Sequence, residues 1–169
     1  MTNVYIGLGS NLNNPIYQIK KALQVLKFIP ATHLQTNSNL YRSEAIGPKN
    51  QPNYINAVAI LSTRLSSFNL LHELQSIETE RGRTRNGKRW QARILDLDIL
   101  MYDNKQLHTK KLILPHPELY NRIIEVRVKL ILACGSTQGG SITVMTFKSN
   151  HLFMRIALVV SGNDSLTLY

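Results

Sequence analysis

A single cysteine, Cys134, stands in the whole chain, so no intramolecular disulfide can form and a stapled secreted scaffold is excluded. Long apolar runs are missing as well. The longest late one, Ile156 to Val160 with Leu152 to Met154 before it, is broken by Arg155 and falls far short of the roughly 20 residues that a membrane span needs. Met1-Thr2-Asn3-Val4-Tyr5 has neither the charged nor the apolar region of a secretory leader, and a reducing cytoplasmic location is the expectation. Acidic residues are scarce. Ten Asp and Glu against 20 Lys and Arg leave a formal charge of +10. That excess points to an anionic partner without saying whether it is a nucleotide or a nucleic acid. Repeats, low-complexity tracts and linkers are absent too, so 169 residues read as one domain large enough to bury a real core.

What is present follows a simple order. Asn3 to Gly9 is apolar and β-rich and ends in Gly-Ser-Asn turn chemistry, which predicts a buried first strand. Pro15 opens a helix in which Ile16, Ile19, Lys20, Leu23, Leu26 and Lys27 recur at helical spacing, with Ile29-Pro30 as its stop. His33 to Arg42 is a mostly polar extended run. Tyr54 to Leu65 is a strand in which Ile55, Ala57, Ala59 and Leu61 alternate with Asn56, Val58 and Ile60. Between the two, Glu44 to Asn53 carries Gly47-Pro48 and Gln51-Pro52, which cannot continue either strand but can line a pocket. Ser66 or Ser67 caps a second helix with Leu70, Leu71, Leu74 and Ile77 as its stripe, running out near Gly82. Ile94 to Tyr102 is a further strand, turning at Asp103-Asn104 into a short return around Leu107 and Leu112. The order β-α-β-β-α-β predicts an α+β, ferredoxin-like sandwich, an antiparallel sheet with its helices on one face.

Within that last strand, Arg93-Ile94-Leu95-Asp96-Leu97-Asp98-Ile99-Leu100 places two aspartates at i and i+2. A strand alternates faces with period two, so both carboxylates project from one face, roughly 6–7 Å apart, with Leu95, Leu97 and Ile99 on the other. Like charges at that spacing repel, and a divalent cation would reverse the penalty; paired carboxylates with phosphate oxygens are a usual Mg²⁺ site. A half-buried strand with an acidic outer face is the plainer alternative. Just upstream, Arg81, Arg83, Arg85, Lys88, Arg89 and Arg93 crowd a segment that also holds Gly82, Gly87 and Trp90. Arginine forks match phosphate oxygens in pairs, so cations beside a carboxylate pair suggest a metal–polyphosphate site. A basic loop that merely neutralises the aspartates, or one that contacts nucleic acid, is the alternative here.

Taken together, several blocks are distinctive. Tyr5-Ile6-Gly7-Leu8-Gly9-Ser10-Asn11-Leu12, Tyr41-Arg42-Ser43, Gly47-Pro48, Gln51-Pro52-Asn53-Tyr54-Ile55-Asn56-Ala57, Glu78 with Gly82-Arg83-Thr84-Arg85, Arg89-Trp90, Leu95 to Leu100, and Pro115-His116 with Asn121-Arg122 run collinearly over about residues 3 to 122. This set resembles the 6-hydroxymethyl-7,8-dihydropterin pyrophosphokinase family of folate biosynthesis. The resemblance implies pyrophosphate transfer from ATP to the pterin hydroxymethyl group, releasing AMP, with two Mg²⁺ ions on Asp96 and Asp98. It implies ATP contacts at Gln75, Glu78, Arg85, Trp90, Ile99, His116 and Arg122. It implies catalytic roles for Arg83 and Arg93 beside Asp96 and Asp98, with the loop closing through Trp90. It implies a pterin slot built from Ser43, Ile46, Tyr54, Asn56 and Trp90. The expected partners are the two small substrates, with no nucleic acid or membrane, and the expected state is a monomer.

Plainer readings stand beside these. Glu78 can be an exposed helix residue pairing with Arg81, Asn56 an exposed strand position, His116 an ordinary loop histidine, and Tyr54 and Trp90 core or rim aromatics. Past Arg122 the resemblance stops: Ile124 stands where the family places an aromatic pterin wall. Gln91-Ala92 and Ile94 replace the family's Gly-Pro and Thr. The expectation is a core over 1–122 and a divergent C-terminal segment of the same domain, 123–169, either a genuine tail or the product of a reading-frame change. Ile124 to Leu130 and Ile142 to Phe147 read as strands within it. Alternatives to the enzyme are an inactive ATP-binding relative and a ferredoxin-like RNA-binding module. A dinucleotide fingerprint at Gly7-Leu8-Gly9 fails at Leu12, where a third glycine is needed.

Overall fold

The structure, a computed structural model, describes residues 1–45, 50–83 and 91–119, and the backbone of three short strands at 125–126, 142–146 and 155–159. The chain divides into two compact units, Met1–His116 and Pro117–Tyr169.

In the first unit, β1 (Thr2–Ser10) leads to α1 (Pro15–Val25), which passes through a 3-10 turn at Leu26–Phe28. Asn14 caps α1 by accepting from the Tyr17 N–H, and Pro15 sits at the first helical position, where its missing N–H costs nothing. Ile19, Ala22, Leu23 and Leu26 are buried; Ile16, expected in the stripe, lies in the first turn of the helix and is exposed. The polar run then forms two strands, β2 (Thr32–Asn37) and β3 (Tyr41–Ser43), instead of one. The break falls at Ser38. Its N–H donates to the Val58 carbonyl, and its hydroxyl accepts from the Val58 N–H, a side chain replacing a rung of the ladder.

Both β2 and β3 pair with β4 (Tyr54–Thr63), and α2 (Ser67–Glu80) follows, capped by the Ser66 hydroxyl on the Asn69 N–H. Next come β5 (Asp96–Tyr102) and a small ribbon of β6 (Leu107–His108) and β7 (Ile113–Leu114). The principal sheet runs β2-β4-β1-β5 with every neighbouring pair antiparallel. This is the expected α+β ferredoxin-like arrangement. Val4, Ile6, Leu8, Ala57, Ala59, Leu61, Leu97 and Ile99 point to the face covered by Ile19, Ala22 and Leu23 of α1 and Leu70, Leu74 and Ile77 of α2, and form one core with them. The period of two that buries these residues sends Tyr5, Gly7, Gly9, Asn56, Asp96 and Asp98 to the opposite face. No helix among the described residues is long and apolar enough to cross a membrane.

The second unit contains β8 (Glu125–Val126), β9 (Ile142–Thr146) and β10 (Arg155–Val159) in a sheet ordered β10-β9-β8. Of the expected strand from Ile124 to Leu130, the described backbone includes Glu125–Val126, and of Ile142 to Phe147 it includes all but the last residue.

Candidate active site

Register brings the site together. Gly9 of β1 lies opposite Asn56 of β4 on one side and Asp96 of β5 on the other, and Gly7 lies opposite Val58 and Asp98. Asn56 and Asp96 therefore flank a glycine in a row across three strands. The absence of a Cβ matters here, because one at Gly9 would rest within 4 Å of Asn56 Oδ1, Tyr54 Cδ1 and Asp96 Cβ, filling the gap between them.

One side of the row is Ser43, Tyr54 and Asn56. Asn56, only 8% exposed, donates from Nδ2 to the Ser43 hydroxyl at 2.8 Å. This replaces the reading of Asn56 as an exposed polar position. The Tyr54 hydroxyl donates to the Gln91 carbonyl at 2.9 Å, tying the start of β4 to the segment before β5.

The other side is ionic. Asp96 is 7% exposed, with Arg83 on Oδ1 at 2.5 Å and Arg93 on Oδ2. Arg83 reaches it because α2 ends in a Schellman turn: Gly82, at φ +85°, donates to the Thr79 carbonyl and Arg83 to the Glu78 carbonyl. That reversal folds the Arg83 guanidinium back over the helix end, where it also meets the Glu78 carboxylate. Glu78 is 1% exposed and accepts from the Leu97 N–H at 2.8 Å, so it bridges α2 to β5 beside Asp96. The reading of Glu78 as an exposed partner of Arg81 is thus corrected. A signal existed in the sequence: 78 is eight residues on from Leu70 and four from Leu74, on the buried side of the helix.

Burial works against the charge on Arg93, but Asp96, by charge and hydrogen bond, with Tyr54 and Asp98 adding to it, holds its guanidinium above the ordinary value. Among the described residues no group of three or more His, Cys, Asp or Glu side chains is placed to hold a metal. The donor set still suits Mg²⁺, which keeps several waters and takes one or two carboxylates plus substrate phosphates. Each Asp96 oxygen accepts from one arginine and keeps a further lone pair that a cation can take. Arg83 and Arg93 serve here as counter-charges to Asp96.

The remaining candidates divide. Gln75 sits on α2, one turn before Glu78. The Ile99 side chain, 2% exposed, is in the core on the face opposite Asp96. The His116 N–H donates to the Leu100 carbonyl at 2.9 Å, holding the His116 segment against β5. Ile46, Arg85, Trp90 and Arg122 lie outside the described residues. β5 begins at Asp96 rather than Ile94, because the Arg93 carbonyl accepts instead from the N–H groups of Asn11 and Leu12. Asn11 was quoted in the motif but not placed in the site, and the structure puts it there.

An antiparallel α+β sheet with two aspartates on the face away from its helices and two arginines beside them suits the handling of phosphate groups. The family model described as 7,8-dihydro-6-hydroxymethylpterin-pyrophosphokinase matches residues 5–128. Relatives named 2-amino-4-hydroxy-6-hydroxymethyldihydropteridine pyrophosphokinase include one from Haemophilus influenzae, 48% identical over 122 residues, 72% of this chain and 76% of the relative. One from Pseudomonas aeruginosa is 44% identical over 119 residues, 70% and 73% of the two chains, and one from Bacillus subtilis 36% over 124 residues, 73% and 74%. The chain belongs to the 7,8-dihydro-6-hydroxymethylpterin-pyrophosphokinase family.

Proposed function

We infer that this chain transfers pyrophosphate from ATP to the hydroxymethyl group of 6-hydroxymethyl-7,8-dihydropterin, giving AMP and the pterin diphosphate for folate biosynthesis. The observation that carries this reading is the row Asn56–Gly9–Asp96, which places an amide suited to a pterin edge two strands from a carboxylate held by two arginines. The hydroxyl oxygen forms its bond to the β-phosphorus, the bond from that phosphorus to the AMP oxygen breaks, and the hydroxyl proton is released.

Asn56 and Ser43 bind the polar edge of the pterin, Tyr54 and Trp90 cover its ring, and backbone near Ile46 completes the slot. Gln75, Glu78, Arg85, Trp90, Ile99, His116 and Arg122 contact the nucleotide, Ile99 through its backbone. Asp96 and Asp98 would hold two Mg²⁺ ions, which would supply charge neutralisation for the phosphates and lower the pKa of the hydroxyl. Arg83 and Arg93, held on Asp96 until ATP arrives, then turn their forks to phosphate oxygens, a charge-assisted exchange of one anion for another. No side-chain nucleophile takes part. The protein works as a cytoplasmic monomer, without nucleic acid or membrane.

We place the pyrophosphokinase core in residues 1–122 and read 123–169 as a divergent C-terminal segment of the same domain. A family-like C-terminus in an alternative frame of the coding DNA would support a reading-frame change; its absence from both frames would leave a genuine tail. The activity itself is tested by incubating the purified chain with ATP, Mg²⁺ and the pterin. AMP that depends on both pterin and metal, and disappears with a chelator, is the expected result; no AMP from folded protein would overturn the reading.

A further inference from the structure

Asn11 is 2% exposed, and its single amide is divided between two segments that are far apart in sequence. Its Oδ1 accepts from the Arg93 N–H at 2.7 Å. Its Nδ2 donates to the Pro52 carbonyl at 3.1 Å and to Gln51 Oε1 at 3.5 Å. Its own N–H donates to the Arg93 carbonyl at 3.0 Å, so side chain and main chain grip both polar groups of one residue. Arg93 needs that grip. It precedes the first residue of β5 and has no place in the sheet ladder, yet its guanidinium must meet Asp96 three residues on.

We propose that Asn11 is a positioning residue for the transfer reaction: it fixes the main chain from which Arg93 reaches Asp96 and locks that segment to the strand entry carrying Tyr54 and Asn56. The proposal rests on the pyrophosphokinase reading and adds a residue to it. The geometry also says why an amide is required. One end must accept from Arg93 and the other must donate to Pro52; aspartate lacks the donor, alanine lacks both, and serine has a single polar atom in place of the two that reach separate partners. Through this amide the pterin side and the phosphate side of the site share one joint, so a shift of the Gln51–Pro52 segment is passed to Arg93. Displacements of about 1 Å in a charged group at a reacting centre cost about 10²-fold in rate, which sets the scale expected here.

A double-mutant cycle between Asn11→Ala and Arg93→Ala separates positioning from plain structural support. Arg93→Ala keeps the main-chain groups that Asn11 holds and removes only the guanidinium. If Asn11 acts through that guanidinium, Asn11→Ala lowers kcat for AMP formation by about 30- to 100-fold in the wild-type background, with KM for ATP within about 3-fold. In the Arg93→Ala background the further loss is under about 3-fold, while Tm falls by the same amount in both backgrounds. Asn11→Ser takes the place of the alanine variant in the same cycle if the latter does not fold. Equal losses of kcat in the two backgrounds, or an unchanged kcat, would overturn the role of Asn11 while leaving the pyrophosphokinase reading intact. No AMP from the wild-type chain would overturn both.

Discussion

Leu97 and Ile99 face the helices while Asp96 and Asp98, their neighbours on β5, face away, and the two sets share a strand without sharing a task. On the covered face the contacts are mainly apolar, with the buried Thr32–Thr63 hydroxyl pair an exception, and the elements are held chiefly by packing that any side chain of suitable size and shape can provide. On the other face Val58 and Ile60 are buried as well, but the residues of the site are polar: Asp96, Asn56 and Asn11 are each less than a tenth exposed. Each is held by specific partners instead of by volume. Buried ion pairs are weak contributors to stability, since desolvation offsets most of their attraction, so a fold selected for stability alone has little reason to place Asp96 between two arginines. The comparison teaches that the site has been built at some cost on the free side of a sheet whose other side provides the stability.

The largest effect that sharpens this contrast is expected at the carboxylates. Asp96→Asn or Asp98→Asn should lower Mg²⁺-dependent AMP formation by at least about 10⁴-fold, roughly 5.5 kcal/mol of barrier. Circular dichroism should show both variants folded. Turnover at the wild-type rate in both would break the assignment. On the covered face, Leu74→Ala should remove about 2–5 kcal/mol in urea unfolding, as cavities at fully buried leucines do, with kcat per folded molecule within about twofold of wild type. A large fall in kcat with stability retained would mean that the two faces are not separable.

Glu78 tests the boundary, since it rises from the helix layer and ends beside Asp96. Glu78→Gln keeps an acceptor for the Leu97 N–H but loses the ion pair with Arg83, and should cost about 2 kcal/mol of stability together with about tenfold in kcat. Loss of only one of the two would assign Glu78 to a single face. The smallest effect concerns Tyr5, on the site face but away from the chemistry. Burial pushes its phenol above the ordinary 10.0, and Asp103 adds to the shift. The unfolded chain therefore releases this proton first. Stability that Tyr5 contributes is complete below pH 10.0 and declines as pH rises toward the folded value. The stability difference between wild type and Tyr5→Phe should move in favour of the variant between pH 8 and about 11; a constant difference would contradict the shift.

Much of this contrast was legible in the chain. Alternation along Leu95 to Ile99 predicted which side of β5 carries the carboxylates, and the caps at Pro15 and Ser66 placed the starts of both helices. The antiparallel sheet with its helices on one face followed from the succession of elements. What stayed hidden depended on contacts between distant residues. Asn11 meets Gln51, Pro52 and Arg93, 40 to 82 residues away, and no local pattern reports such a meeting. The plainer reading of Glu78 as a surface residue let its charge outweigh its place on the buried stripe. The split between β2 and β3 turned on one serine hydroxyl standing in for a backbone group.

The most direct test of the account is AMP formation by Asp98→Asn, measured beside wild type with ATP, Mg²⁺ and the pterin, on protein whose thermal unfolding has been recorded. The account predicts a cooperative melt within a few degrees of wild type and no pterin-dependent AMP above background. AMP at the wild-type rate from the folded variant would contradict it.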